Sequence, residues 1–218
     1  MNEADSLALL GALGVPVVEH RLCRTADDAV HALAALGAPV AAKGCSADVA
    51  HKSELGVVRL NLRTEEDMRS AFADIERRLR EHGSRVDGVL VEKMAAGRRE
   101  LMIGARIDPV FGPVVVVGDG GKYVEAMPDV ELLLPPFGAA AVRQALSRLR
   151  IAPLLEGVRG EPAMDIDAFS AAVVTVGRLM ADNQSTVINL DINPVVVGSA
   201  GEGCRAIDAV VYTSLQGN

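Results

Sequence analysis

The chain has 218 residues, 50% of them hydrophobic and 23% charged, with a formal net charge of −7. This composition excludes intrinsic disorder, and three cysteines, an odd number, cannot close a disulfide framework. No apolar run reaches the ~18 residues that cross a bilayer. The opening MNEADSLALL is acidic where a secretion leader would be basic.

The acidic balance argues against nucleic acid or an anionic membrane surface as the main partner. Cys23, Cys45 and Cys204 read as reduced thiols, which fits a cytoplasmic protein. Aromatic residues make up only 3%, so the core is built from Ala, Val, Leu and Ile. Nearly every cation is arginine. The lysines are Lys43, Lys52, Lys93 and Lys122, and each marks either a need for a compact point charge or a bias of composition.

In chain order, Ser6 to Leu13 suits a short helix ending at Gly14, and Val15 to Glu19 reads as a strand. Thr25 is a good N-cap for a helix through Leu36, with Asp27 and Asp28 in its first turn and Gly37 past its end. Pro39 to Lys43 is a short strand, Gly44 to Gly56 a polar loop, and Val57 to Leu62 a strand. Thr64 caps a long amphipathic helix to about His82, with Asp67 at the third helical position. Gly88 to Met94 is a strand.

Beyond it, Glu100 to Ile107 and Val114 to Val117 are strands around the turn DPVFGP. Tyr123 to Ala126 and Val130 to Leu134 read as short strands, Ala139 to Leu149 as a helix, and Asp165 or Asp167 starts a helix to Asp182. Val187 to Val197 and Arg205 to Tyr212 are the last two strands. Strand and helix alternate first, and a run of strands with inserted helices follows. The expectation is an α+β protein of two lobes, residues 1–92 and 93–218, joined near Val91 to Gly97, with a ligand cleft between them.

The last hairpin carries the clearest chemistry. Gly198 and Gly203 bracket its turn, and symmetry about that turn pairs position i with 401 − i. Asn193 then faces Asp208, with Cβ atoms ~5 Å apart. Asp191, two residues earlier, shares their face. Three hard oxygen donors on one face suit Mg²⁺; the alternative is a set of solvated polar residues. A polar cluster among Val195, Val196, Val197, Ile207, Val210 and Val211 needs partners.

Three other features are open to two readings each. Gly118-Asp119-Gly120-Gly121 follows an apolar strand and is either a loop that lets backbone amides approach phosphates or a tight turn. Lys43, ending a strand, either holds a phosphate or snorkels to the surface. His51, in the loop CSADVAHKSELG, is either an exposed loop residue or a nucleophile that accepts phosphate.

Together these motifs resemble the ATP-grasp domain of the NDP-forming acyl-CoA synthetases. The likeness is to the β subunit of ADP-forming acetate–CoA ligase and, more distantly, of succinyl-CoA synthetase. The carrying segments are Ala41–Leu60, VLVEKM from Val89, Arg98–Gly121, VEAMPDV from Val124, LLEGVRG from Leu154, LDINPVVV from Leu190 and AIDA from Ala206.

The resemblance implies an ATP-grasp fold binding ATP or ADP with Mg²⁺ between its lobes. It implies nucleotide contacts by Lys43, by the backbone of Val91 and Glu92, by Glu100 and by Gly118, Gly120 and Gly121. It gives the metal to Asn193 and Asp208, beside Asp191, and makes His51 a phosphohistidine. It implies an acid–thiol ligase that needs a CoA-binding α subunit or fused domain. The reading from another class is a nucleotide-sensing module of a larger protein, such as a lysine acetyltransferase. Two positions depart from the family pattern: Gly56-Val57, where Gly-Gly is common, and Asp119, where a hydrophobic residue is common.

Overall fold

The computed structural model describes residues 1–48, 55–122, 124, 126–182 and 186–214. The chain divides into two units, Met1–Asp5 with Val18–Ala95, and Ser6–Val17 with Ala96–Asn218.

The first unit is a four-stranded antiparallel sheet built from β1 (His20–Cys23), β2 (Val40–Cys45), β3 (Val58–Leu62) and β4 (Gly88–Lys93) in the order β1-β4-β2-β3. Helices α2 (Ala26–Leu36) and α3 (Glu65–Glu81) pack on one face. Both begin with a reciprocal capping box: Thr25 accepts from the Asp28 amide, Thr64 from the Asp67 amide, and each aspartate accepts from its threonine's amide, all at 3.1 Å. In α3 the buried side chains are Met68, Ala71, Phe72, Ile75 and Leu79, the three-and-four spacing of one helical stripe. The opposite stripe is polar and carries ion pairs such as Arg80–Glu76.

Strand alternation decides what each face of this sheet carries. Val40 and Ala42 of β2, with Val89 and Val91 of β4, join the helix-side core. Gly44 shares that face, where an added Cβ would meet Leu79, Val57 and Ile75 at 3.0–3.2 Å. Ala41, Lys43, Leu90 and Glu92 therefore point to the other face.

The second unit holds β5 (Arg99–Asp108), β6 (Gly112–Asp119), β7 (Val130–Leu133), β8 (Val187–Val197), β9 (Cys204–Ala206) and β10 (Ala209–Thr213). The order is β10-β8-β5-β6-β7, with β9 also paired to β8. Helices α4 (Ala139–Leu146), α5 (Ala152–Glu156) and α6 (Ile166–Asp182) complete it. α6 packs on β5, β6 and β8, and α4 beside β6 and β7. Leu101, Ile103 and Ala105 of β5 are buried together with their ladder partners Val117, Val115, Ile192 and Leu190. Glu100, Met102 and Gly104, alternating with them, share the opposite face with Asp191, the partner of Gly104.

Several elements differ from the sequence reading. Helix α1 (Glu3–Ala12) starts three residues before Ser6, because Asn2 caps it: its side-chain oxygen accepts from the Asp5 amide at 2.9 Å. The strand expected over Val15 to Glu19 is a single bridge, Val17 to Ala206. Pro16 has no amide to donate, and its carbonyl takes the Ala206 amide at 2.9 Å. The strand of that region is His20–Cys23 instead. Val124 and Ala126 lie in turns, not a strand. Helix α5, with Pro153 near its start, is an addition to the reading. Asp165 rather than Asp167 caps α6, accepting from the Ala168 amide at 3.0 Å. No helix is long and apolar enough to cross a membrane among the described residues.

Candidate functional site

In the first unit Lys43 sits on the sheet face opposite α2 and α3. Its side chain is only 9% exposed, and its ammonium donates to Glu3 Oε1 at 3.0 Å and Glu92 Oε2 at 2.8 Å. Register explains the second contact. Glu92 is the ladder partner of Ala41, so it is the diagonal neighbour of Lys43 on one face. The first contact comes from far along the chain, from the first turn of α1, where the helix dipole also favours a carboxylate. An ammonium taken this far out of water needs such counter-charges.

Val91 and Glu92 lie on a strand with neighbours on both sides. Val91 pairs with Arg21 and Ala42, Glu92 with His20 and Ala41. The backbone that the resemblance offers to a purine base therefore lies within these two ladders. At this position the chain presents the Glu92 side chain, which the sequence reading gave no part. Glu3 was missed as well. The Asn-x-x-Asp cap could have placed it in a helix, but nothing local links it to Lys43.

In the second unit the register sum of 401 holds. Val195 pairs with Ala206, Ile192 with Ala209 and Asp191 with Val210. Between those ladders the Asn193 amide donates to the Asp208 carbonyl at 3.2 Å, and the Ile207 amide to the Pro194 carbonyl at 3.1 Å. The expected single last strand is therefore interrupted at Ile207 and Asp208 while its register continues. Pro194, with no N–H, cannot complete a regular ladder there.

Asn193 also accepts, through Oδ1, the backbone N–H of Gly121 at 2.8 Å. The Asp191 carboxyl is raised above its ordinary range, first by desolvation and second by the charge of Asp208. Protein crowds this side chain, but more than a third of the residue remains exposed, so water screens much of the effect. Among the described residues no group of three or more His, Cys, Asp or Glu has a metal-holding arrangement. The oxygen donors gathered here are two carboxylates and one amide.

The glycine loop closes the patch. The Gly120 amide donates to the Glu100 carbonyl at 3.0 Å, and the Glu100 carboxylate lies where a Cβ on Gly121 would be. A Cβ on Gly120 would stand 2.6 Å from the Leu101 carbonyl group, and one on Gly118 would strike Asp129 and Val130. Gly121 has φ +80°. Each of these glycines has a packing or conformational reason, so the loop is a fitted turn whatever else it binds. Asp119, the departure from the family pattern, is paired with Arg99 at 2.8 Å.

The structure thus brings Glu100, Gly120, Gly121, Asp191, Asn193 and Asp208 into one patch, and Lys43 with Glu92 into another within its own unit. His51 lies outside the described residues. A recess of about 380 Å³ along Phe137, Gly177 and Arg178 holds none of these residues. Burial raises the Cys23 and Cys204 thiols to about 11, with Asp28 and Asp165 adding to the shift, so neither is a nucleophile at neutral pH.

Residues 1–212 match the ATP-grasp domain model. The chain is 42% identical over 211 residues to trans-feruloyl-CoA synthase of an unknown prokaryotic organism, covering 96% of this chain but 30% of that protein. It is 34% identical to the acetate–CoA ligase [ADP-forming] II subunit beta of Pyrococcus furiosus, covering 96% of this chain and 89% of that subunit. The chain spans about 30% of the length of the trans-feruloyl-CoA synthase and of a 4-hydroxybutyrate–CoA ligase [ADP-forming] from Nitrosopumilus maritimus, and most of the length of the β subunit.

Among solved structures it resembles the dinucleotide forming acetyl-coenzyme A synthetase 1 of Ca. Korarchaeum cryptofilum. In complex with coenzyme A, Ca-AMPCP and HgCl+, that structure matches with TM-score 0.92 and 31% identity, covering 98% of this chain and 93% of the other. With coenzyme A and Mg-AMPPCP, its phosphohistidine segment pointing towards the nucleotide binding site, the TM-score is 0.83 at 32% identity, covering 97% and 92%. The α+β fold described above is accordingly the ATP-grasp fold, and the chain belongs to the ATP-grasp domain family, alongside the β subunits of ADP-forming acetate–CoA ligases.

Proposed function

We infer that this chain is the nucleotide-binding part of an ADP-forming acyl-CoA synthetase, an acid–thiol ligase. The overall reaction is acid + CoA + ATP ⇌ acyl-CoA + ADP + phosphate. The share of this chain is phosphoryl exchange: a ring nitrogen of His51 takes the terminal phosphoryl group of ATP, releasing ADP, and gives it back in the reverse direction. The acyl and CoA steps belong to a CoA-binding α subunit or fused domain. The three free thiols fit a cytoplasmic setting.

The observation that carries the reading is the patch around Gly121, where Asn193 accepts the Gly121 amide and Asp191 lies within the influence of Asp208, beside a fitted glycine loop. Two carboxylates and an amide oxygen form a hard donor set that fits Mg²⁺, and the charge of Asp208 on Asp191 is what a cation there would offset. Asn193 and Asp208, with Asp191, would hold the ion, which supplies neutralisation of phosphate charge when bound. Lys43 provides a fixed cation for phosphate oxygens in a chain whose net charge of −7 opposes an anionic ligand. Glu100 and the backbone of Gly120 and Gly121 line the loop.

The test is phosphorylation by radiolabelled ATP with Mg²⁺, in the presence of the CoA-binding partner. Acid-labile, base-stable label that His51→Ala loses is the expected result. Unchanged labelling in His51→Ala would overturn the role of His51. Exchange that survives Asp208→Ala would overturn the metal assignment.

A further inference from the structure

We propose that Glu3 is a positioning residue for the nucleotide phosphates: it fixes the Lys43 ammonium at the point where it meets them. The proposal rests on the reading of Lys43 as a phosphate contact and goes beyond it, because it gives Glu3 a role that acts only through Lys43.

Three observations carry it. The Glu3 carboxylate is fully buried, with 0% side-chain exposure, and lies 3.0 Å from Lys43 Nζ. Burial of a carboxylate is costly and is tolerated where a specific partner is fixed. Glu3 also stands 40 residues from Lys43 in the chain, on a helix turn held by its own Asn2 cap, so the contact is an arrangement of the fold. Finally, Glu92 approaches the same ammonium on Oε2 at 2.8 Å. Two carboxylates reached from different elements fix a point in space, where one would leave the ammonium to swing about a single contact.

A lysine is otherwise a poor positional device. Its stem is flexible, and ordering it costs side-chain entropy. Holding Lys43 between Glu3 and Glu92 meets that cost during folding, so binding does not bear it again. Glu3 thereby determines how well the lysine acts on a phosphate, and it has no bearing on the base.

The experiment is calorimetric titration of the full chain, with Mg²⁺, using ADP and adenosine as probes, alongside thermal melts. Glu3→Gln keeps the shape and removes the charge. The expected result is a loss of about tenfold or more in ADP affinity, the scale of one charge-assisted contact, with adenosine affinity unchanged. Lys43→Gln, whose amide still donates to the two carboxylates, should show a loss at least as large.

If Glu3→Gln leaves ADP affinity unchanged while Lys43→Gln weakens it, the role of Glu3 is overturned and the role of Lys43 stands. If Lys43→Gln itself has no effect on ADP, the phosphate reading of Lys43 fails, and the proposal with it. Equal losses for ADP and adenosine, with a lowered melting temperature, would show a structural role only and overturn the proposal. Should Glu3→Gln not fold, Glu3→Asp, which keeps the charge but withdraws it by one methylene, carries the same comparison.

Discussion

The backbone amide of Asn193 donates to the carbonyl of Asp208 at 3.2 Å, at the point where β8 leaves β9 and takes up β10. This bond fixes two oxygen-bearing side chains on one face without using either side chain. Asp208→Ala keeps this backbone bond and should abolish the Mg²⁺-dependent part of ADP binding without unfolding the chain. Calorimetry with and without Mg²⁺, beside a thermal melt, reads both. Mg²⁺-dependent binding that persists in the variant would move the metal elsewhere.

Gly120→Ala tests whether the glycine loop is fitted. The new methyl would stand 2.6 Å from the Leu101 carbonyl group, so backbone must move. The expected cost is about 1–3 kcal/mol in a denaturant titration, with or without nucleotide. A neutral result would mean the loop has room, and that its glycines answer to a ligand alone.

Replacing Lys43 with methionine leaves Glu3 and Glu92 buried without their shared cation. Breaking a buried ion pair on one side costs about 3–5 kcal/mol, a large share of the stability of such a unit. The midpoint of urea unfolding should fall accordingly. The shorter but polar Lys43→Gln should lose less, because its amide can donate to the same oxygens.

The capping boxes give a smaller, cleaner effect. Thr64→Ala removes the oxygen that takes the Asp67 amide and should cost about 1 kcal/mol by thermal or chemical melt. The same change at Thr25 should cost a similar amount, and the two should add, since the caps share no hydrogen bond.

The acid limb of stability should carry the signature of Asp74. Arg78 and Arg77, and after them Arg59, hold its carboxyl down at about 2. A carboxyl lowered in the folded state adds stability that is fully present above its unfolded value and is lost as pH falls through its folded value. The contribution should be constant from neutrality to about pH 4 and lost as pH approaches 2. Asp74→Asn should therefore flatten the pH dependence of the melting temperature in that window and leave the slope at higher pH unchanged.

Whatever depends on neighbours in the chain was legible in the sequence. Thr25 and Thr64, each with an aspartate three residues on, announced their helices, and short apolar runs announced most strands. The turn between Gly198 and Gly203 fixed the register that sets Asn193 against Asp208, because a hairpin counts outward from its own turn. Short polar signals were the exceptions: the Asn2 cap was overlooked, and Pro16 broke a segment that reads as a strand.

The pairing of elements far apart in the chain was legible only in the folded protein. The strand order β1-β4-β2-β3 lays Glu92 diagonally beside Lys43, and α1 brings Glu3 to the same ammonium. The same order pairs Val91 and Glu92 with a neighbouring strand on each side. Such contacts arise from sheet order and helix docking, set by burial of whole faces. No local pattern of residues encodes which distant carboxylate meets a given lysine.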